Sequence, residues 1–373
     1  MSGLAGLTAT FASQGGGFSV SALVKVSTED PIRWFAQQHD PGFTLVSPIE
    51  HYDGVYYYTM AVDPLATGQA HTLIDQAAYR YGHPLHGWLA GLISLGQPQL
   101  VPAALFILGL LGMCLTGWLA SRLAYQLGAS PWLGLAAAAS PGLLFATTVD
   151  TTETIGAALV LGALLAWHRR RWGWATVLIV LCCLDKEQYI AVPAGLAVYE
   201  AVWAWRQHEK RASLIRRIVA LCMGPLLLGC WYLYVHGRFH RWPFIYETGN
   251  LGAPVVGWLQ TFGYAHRLST SGDSLASQIG SIVAPVLICY VVLLAAAAVV
   301  AVRMDTVLAA PTLLLTLITA SQGWRTLLYP HEIFRTPAVV TLLAVLVLLT
   351  AATRNVDYTH RGGSGLQDLN PTG

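Results

Sequence analysis

The sequence predicts an all-α, polytopic membrane protein, and three observations carry this prediction. Hydrophobic residues make up 55% of the 373 residues, charged residues only 11%, and the mean hydropathy is +0.53. Soluble domains carry about 25% charged residues, so much of this chain must face lipid. Apolar runs such as "APVLICYVVLLAAAAVVAV" approach the roughly 20 residues that a membrane-crossing helix needs. Basic residues, finally, are grouped in a few short loops.

Hydropathy divides the chain into membrane crossings and one long polar region. Nine crossings are predicted near residues 100–121, 132–148, 153–167, 173–184, 189–205, 218–235, 279–302, 307–320 and 337–352. Residues 1–26 are a weak first transmembrane segment, interrupted by three glycines, which brings the total to about nine to ten. A transmembrane helical domain thus spans 100–352, and residues 353–373, which lack periodicity, are predicted to be a disordered cytoplasmic tail.

The basic residues predict the orientation in the membrane. Two clusters, at 169–171 and 206–217, fall on one side of the membrane if the crossings alternate. The single residues Arg122, Arg303 and Arg354 fall on that same side. An excess of Lys and Arg marks cytoplasmic loops. The opposite, extracytoplasmic face therefore carries the long region 27–99 and the other polar turns.

Most acidic residues are predicted on the extracytoplasmic face. They are Glu50, Asp53, Asp63, Asp75, Asp150, Glu153, Asp185, Glu187, Glu247, Asp273 and Glu332. Acids in such loops are often simply solvated, because the sorting rule does not penalise them. Asp150, Glu153 and the pair Lys186–Glu187 differ because they lie directly against predicted crossings. Charges at membrane depth usually line a site or a pathway.

The region 27–99 is too long for a simple connection and is predicted to carry interfacial helices. One short helix opens in "STEDPIRWFAQQ", a second in "YYYTMAVDP" ends at Pro64, and "LIDQAAYRYGHPLHGWLAGLISLG" continues as a helix at the membrane boundary. Its tyrosines equally suit an interfacial aromatic belt. Asp53 differs because it precedes Gly54 at a helix start, where the helix dipole stabilises an anion. Such a carboxylate suits a general base or a ligand of a divalent cation.

Two stretches of this region together resemble a known family. "YDGVYYYTMAVDP", followed by "IDQAAYRYGHPLHGWLAGLISLGQP", resembles the first extracytoplasmic loop of GT-C glycosyltransferases. "ASPGLLFATTVDTTETI" and "CCLDKEQYIAVPAGLAVYE" are similar to the next two outer turns of that family. These multi-span enzymes of the plasma (inner) membrane include protein O-mannosyltransferases and bacterial aminoarabinose transferases. The resemblance implies a GT-C-like fold with its active site on the extracytoplasmic face.

The resemblance also implies a role for each matching residue. Asp53 corresponds to the acid that deprotonates the acceptor hydroxyl, and Asp150 with nearby Glu153 corresponds to the acids that orient the acceptor or hold a metal. The implied contacts are Arg80, Lys186 and Arg335 for the donor phosphate, and Tyr56, Tyr57, Tyr79, His83 and His331 for sugar or lipid. A phosphate leaving group needs fixed positive charge, and a hydroxyl nucleophile needs a base, so a single inverting displacement is expected.

The implied partners are a polyprenyl-phosphate-linked sugar, a glycan or lipid acceptor, and the bilayer. The sequence identifies no cofactor, although a divalent cation, Mg²⁺ or Mn²⁺, is a candidate. A net charge of +2 gives no footprint for nucleic acid. Two other functions stay open: a transporter or flippase of lipid-linked glycans, and a non-catalytic assembly subunit with the same fold. His83 also departs from the family, because bacterial relatives often carry Arg before this Pro.

Overall fold

The fold is helical throughout. The computed structural model describes residues 1–14, 17–245 and 250–363, apart from the side chains of Pro330 and of 354–363. Of the chain, 75% is helical, and no strand forms within those ranges. Two isolated bridges, Ser27 with Val46 and Leu251 with Gln322, are the β-type contacts found there. The predicted all-α class is therefore confirmed.

Eighteen α-helices make up the described chain. They are α1 Ser2–Ser13, α2 Arg33–His39, α3 Gly54–Val62, α4 Ala77–Arg80, α5 Leu85–Ile93, α6 Val101–Gln126, α7 Leu135–Ala138, α8 Pro141–Thr148, α9 Glu153–His168, α10 Trp172–Asp185, α11 Ala191–Arg206, α12 Arg211–Phe239, α13 Val256–Ser269, α14 Ser274–Arg303, α15 Ala309–Ala320, α16 Trp324–Leu328, α17 Pro330–Arg335 and α18 Ala338–Gly363. Short 3₁₀ helices lie at Ser21–Val24, Pro48–Glu50, Ala70–Leu73, Pro98–Leu100, Pro131–Gly134 and Glu187–Ile190.

Three helical stretches are long and apolar enough to cross a membrane, which supports a membrane protein. They are Pro98–Gln126, Arg211–Phe239 and Ser274–Arg303. Four shorter apolar helices occupy Glu153–His168, Trp172–Asp185, Ala309–Ala320 and Ala338–Thr353. Helices thus stand at most of the predicted crossings, whereas the total of nine to ten crossings stays a prediction.

Two sequence predictions about helix limits were wrong. The crossing near 132–148 is broken into a 3₁₀ helix, α7 and α8, because Ser140 takes an extended conformation before Pro141. The helix predicted from Leu73 to Gly96 is interrupted between α4 and α5, where Pro84 disfavours a helical conformation at His83. At the other end of the chain, α18 extends to Gly363 and residues 364–373 lie outside the described residues, so the disordered tail stays a prediction.

The N-terminal helix covers only part of the predicted first segment. It has 12 residues and packs against α6 and α8. A helix of that length rises about 18 Å, less than a hydrocarbon core of about 30 Å. Within the rest of the segment, residues 15 and 16 lie outside the described residues, and a 3₁₀ helix follows at Ser21–Val24.

The tyrosines of α3 lie in the protein interior. Tyr56 and Tyr57 are each 5% exposed and Tyr58 is fully buried. They belong to a hydrophobic core in which α3 and α5 pack against α6 and against Trp231 of α12. The alternative reading of these three side chains as an interfacial belt is therefore wrong. Because α3 is held on all sides, it is a rigid support for the residue that precedes it, Asp53.

A glycine allows the helices α6 and α9 to cross at close range. A Cβ on Gly112 of α6 would lie 2.6 Å from Thr154 Oγ1 and 2.8 Å from the Ile155 nitrogen of α9. Small residues allow this approach in membrane helices, where van der Waals packing is a main source of association. The α6–α9 crossing fixes the start of α9, and thereby the position of Glu153.

We expect Gly112→Ala to lower the free energy of unfolding by about 1–3 kcal/mol, because the added methyl group forces α6 away from α9. The fall in apparent Tm of the purified protein measures the effect. Gly109→Ala is the matched control on the same helix, since its Cβ would meet only Thr147 Cα at 3.9 Å. Equal losses in the two variants would contradict this account of the crossing.

Candidate functional site

Six charged residues from five parts of the chain meet at one end of the helices. This charge cluster consists of Asp53, Arg80, Glu153, Lys186, Glu332 and Arg335. Asp53 precedes α3, Arg80 ends α4, Glu153 begins α9, Lys186 follows α10, and Glu332 and Arg335 lie on α17. Sequence reasoning had assigned roles to five of the six, and the structure brings those five together.

Asp53 bridges two arginines. Its Oδ1 accepts from Arg80 Nη1 at 3.1 Å, and its Oδ2 lies 2.8 Å from Arg335 Nη2. Burial would raise the pKa of this carboxyl, but Arg335 and Arg80 outweigh that effect and hold the pKa well below its usual range. Asp53 is thus ionised at neutral pH, and its side chain keeps 27% exposure to solvent.

Gly54 allows Asp53 to reach this position. A Cβ on Gly54 would lie 2.7 Å from the Val24 carbonyl oxygen and 2.8 Å from that of Val149. Any larger residue would therefore push the start of α3, and Asp53 with it, away from the cluster. This steric constraint explains why a glycine follows Asp53 in the sequence.

Arg335 is the centre of the charge cluster. Its guanidinium lies 2.8 Å from Asp53, 2.9 Å from Glu332 and 3.3 Å from Glu153. The residue is only 6% exposed, and its guanidinium carbon lies 4.8 Å from the ring centroid of Tyr52. Carboxylates from three elements thus meet at one guanidinium that solvent hardly reaches, and Arg80 and Lys186 supply the other two positive charges of the cluster.

A second set of pairs joins the start of α9 to the end of α10. Lys186 Nζ donates to Glu153 Oε1 at 2.6 Å, and the Thr152 hydroxyl donates to Asp185 Oδ1. Glu153 and Asp185 are buried. These pairs show that α9 and α10 run antiparallel, with their acidic ends at the charge cluster and the basic stretch 169–171 at the opposite end.

Aromatic rings surround the cations. The Arg80 guanidinium stacks 3.5 Å above the Tyr56 ring and lies 5.4 Å from that of Tyr79. Tyr79 in turn meets His83 edge-on at 5.1 Å. Planar guanidinium groups held against rings keep a fixed orientation toward a ligand.

Two histidines lie just behind the charge cluster. His83 Nδ1 lies 3.0 Å from Glu187 Oε2, so in this structure the imidazole contacts a carboxylate. His86 is fully buried and meets the ring of Tyr57 edge-on at 4.9 Å. Burial lowers the pKa of His86 to about 4, so its imidazole is neutral at pH 7.

Asp150 does not join the cluster. Its side chain is buried, its backbone has φ of +49°, and neither carboxylate oxygen has a hydrogen-bond partner among the described residues. Burial raises its pKa well above the usual range, and Lys25 is the charge that opposes this shift. Of the two acids assigned to the second outer turn, Glu153 is therefore the one beside Asp53.

Tyr52 and Glu332 had no assigned role. The Tyr52 hydroxyl donates to Glu332 Oε1 at 2.5 Å, and the Tyr52 ring meets that of His331 at 5.3 Å. One sequence signal was present: Glu332 stands three residues before Arg335, which is the spacing of neighbours on a helix. Its pairing with Tyr52, 280 residues away, has no such local signal.

The charge cluster does not fit a divalent cation. Within the described ranges, no group of three or more His, Cys, Asp or Glu side chains has the arrangement of a metal site. The carboxylates of Asp53, Glu153 and Glu332 converge instead on the Arg335 guanidinium, which takes the central position that a metal ion would need.

The opposite end of the helices carries a separate ion network. Arg217 pairs with Glu200 at 2.7 Å and also with Glu209, and Glu200 accepts from the indole of Trp167 at 2.6 Å. These contacts tie the start of α12 to the ends of α9 and α11.

No family model, curated protein or solved structure matches this chain. The arrangement of side chains in the charge cluster is therefore the basis for a functional argument.

We expect Arg335→Leu to destabilise the protein by about 3–5 kcal/mol, because it leaves buried carboxylates without their shared cation. Arg325→Leu is the matched control: Arg325 is exposed and faces the ring of Trp324, so its loss should cost no more than about 0.5 kcal/mol. Apparent Tm values of the purified variants provide the comparison.

The loss of stability in Arg335→Leu, measured as the fall in apparent Tm, should depend on pH. In the native protein the pKa of Asp53 is depressed, so its contribution to stability is present above its unfolded pKa of about 3.9 and is lost as the pH falls through the native pKa. Without Arg335 this contribution shrinks, and protonation relieves the remaining repulsion. The difference in Tm should hence be largest above about pH 5 and should shrink as the pH falls through about 3.9 toward 3, and a deficit that is unchanged at pH 3 would contradict the electrostatic explanation.

Proposed function

We propose that this protein is a membrane glycosyltransferase that moves a sugar from a polyprenyl-phosphate carrier to an extracytoplasmic acceptor. One observation carries the proposal: Asp53, a partly exposed carboxylate, is fixed between two guanidinium groups at the acidic end of a helical membrane protein. A base beside fixed cations is what transfer from a phosphate leaving group to a hydroxyl requires.

Arg80 and Lys186 are the cations most open to a donor phosphate. Their side chains are 15% and 16% exposed, against 7% for Arg335. Arg80 Nη1 donates to Asp53 Oδ1, so a phosphate oxygen would compete with that carboxylate for the N–H group. Arg335 contributes mainly by holding the three carboxylates in place and adding positive charge behind the phosphate.

Donor binding would also activate Asp53. In the ligand-free protein the arginines depress its basicity. A phosphate that takes over their N–H groups withdraws them from Asp53, so its pKa rises toward the ordinary value of about 3.9 or above. The base thus becomes effective when the leaving group is in place, which disfavours attack by water on an incomplete complex.

The chemical step is a single displacement. Asp53 takes the proton of the acceptor hydroxyl while the oxygen of that hydroxyl bonds to the anomeric carbon. At the same time, the bond from the anomeric carbon to the phosphate oxygen breaks. The electron pair of that bond leaves with polyprenyl phosphate, whose charge Arg80, Lys186 and Arg335 stabilise. Attack from the face opposite the phosphate inverts the sugar carbon, and Asp53 later releases its proton to solvent.

The membrane has a part in this proposal. A polyprenyl tail needs a lipid-facing surface while its phosphate reaches a polar site, and the apolar helices next to the charge cluster meet both needs. In this proposal the charge cluster lies on the extracytoplasmic face of the inner membrane, and the basic stretches at the opposite end support that orientation. A flippase of lipid-linked glycans and a non-catalytic assembly subunit are the two alternatives.

We expect Asp53→Asn to lower transfer by about 10²–10⁴-fold with donor binding retained, because general-base catalysis contributes a factor of this size. The measurement is label transfer from a panel of radiolabelled polyprenyl-phosphate sugars to a cell-envelope glycan extract, with the protein in defined bilayers. Asp305→Asn is the control, since Asp305 pairs with Arg206 at the opposite end, 60% exposed.

Each other outcome selects an alternative. Donor that crosses between leaflets without transfer would favour a flippase. Donor that binds with neither transfer nor crossing would favour an assembly subunit. Full transfer by Asp53→Asn would remove Asp53 as the base.

A further inference from the structure

A group of stacked rings lies beside the exposed edge of the charge cluster. This aromatic platform consists of Phe145, His331 and Tyr329. His331 stacks near-parallel to Phe145, with ring centroids 5.7 Å apart and 28° between planes, and to Tyr329 at 5.8 Å and 24°. The platform joins α8 to the segment around α17, two elements that the sequence separates by more than 180 residues.

The platform is open to ligands. Tyr329 is 55% exposed, and His331 is exposed as well. Large exposed rings that are already stacked on one another lose little entropy when a flat apolar surface covers them.

Polar groups stand at the edge of the platform. Tyr52 meets both His331, at 5.3 Å, and Phe145, at 5.5 Å, and its hydroxyl donates to Glu332. Glu332 retains 16% side-chain exposure, and Asp53 follows Tyr52 directly in the chain. An apolar surface bordered by carboxylate oxygens matches a ligand that is apolar on one face and rich in hydroxyl groups at its rim.

We propose that the aromatic platform binds a sugar ring of the acceptor, so that the acceptor is a glycan and not a lipid or a protein hydroxyl. This inference rests on the proposed transferase function. The C–H bonds on one face of a pyranose carry partial positive charge and are attracted to the negative face of an aromatic ring. Glu332 then accepts hydrogen bonds from ring hydroxyls, and the next hydroxyl along the glycan is directed toward Asp53.

A prenyl tail fits the platform less well. Hydrocarbon laid over these rings would also cover Glu332 and the edge of Asp53, and it offers no hydrogen bond in return for the water that it displaces. A sugar replaces that water with hydroxyl groups. The donor tail is better accommodated by the long apolar helices Pro98–Gln126, Arg211–Phe239 and Ser274–Arg303.

The test is a binding measurement that needs no turnover. Saturation-transfer NMR on the full chain in nanodiscs would give the Kd of short neutral oligosaccharides of glucose, galactose, mannose and N-acetylglucosamine, with the acyclic polyol sorbitol as the reference for hydroxyl groups without a ring face. At least one oligosaccharide should bind more tightly than sorbitol. Tyr329→Ala should weaken it about tenfold, whereas Tyr329→Phe, which keeps the ring, should bind as the wild type does.

The outcomes separate this inference from the proposed function. Binding that depends on the ring of Tyr329, in a protein that transfers no sugar, would support the glycan site and overturn the transferase. Sugar transfer by Tyr329→Ala with an unchanged KM for the acceptor would support the transferase and overturn the glycan site. Absence of oligosaccharide binding to the wild type, or equal loss in the Ala and Phe variants, would overturn the platform as a sugar site. Quenching of its rings by brominated lipid tails would also overturn it, because the platform would then face the bilayer.

Discussion

The contact of three carboxylates with the guanidinium of Arg335 is the interaction on which the site depends. Bringing Asp53, Glu153 and Glu332 together in a largely buried region would cost several kcal/mol per charge if no cation were present. A guanidinium can satisfy several acceptors at once because its N–H groups point in fixed, separate directions. Arg335 thereby ties α17 to α9 and to the start of α3, three elements that share no sequence neighbourhood.

The same interaction sets the chemistry that is available. Carboxylates held by arginines are ionised and oriented but weakly basic, so the ligand-free site is stable and unreactive. An anionic ligand that competes for the arginines changes both properties together. The tight packing of α3 around its buried tyrosines, and the close approach at Gly54, keep Asp53 in place while its partners change. The site can therefore keep α3 rigid while the arginines that pair with Asp53 exchange partners.

Much of the architecture was predictable because hydrophobic runs report directly on helices. The helices at α6, α9, α10, α11, α12, α14 and α15 follow from uninterrupted apolar sequence, and the antiparallel arrangement of α9 and α10 follows from the short connection at 169–171. The failures occurred where a local backbone effect overrode hydropathy. Pro141 and Pro84 break runs that are apolar enough to continue, and hydropathy cannot distinguish a buried tyrosine in α3 from one at a membrane interface.

By itself, the sequence determined the helical class and the apolar helices of a membrane protein. Glu153 and Lys186 stood out because charges against apolar runs are rare, and Asp53 because it begins a helix, whereas Arg80 and Arg335 were implied only by the resemblance to a family. Tertiary structure alone decided which of these charges touch. Arg335 as the shared cation, Asp150 as a separate buried acid, and the contact of Tyr52 with Glu332 across 280 residues all depend on how the helices cross. The physical reason is that charge and hydropathy are properties of single residues and short windows, whereas the partner of a buried charge is selected by packing among distant elements.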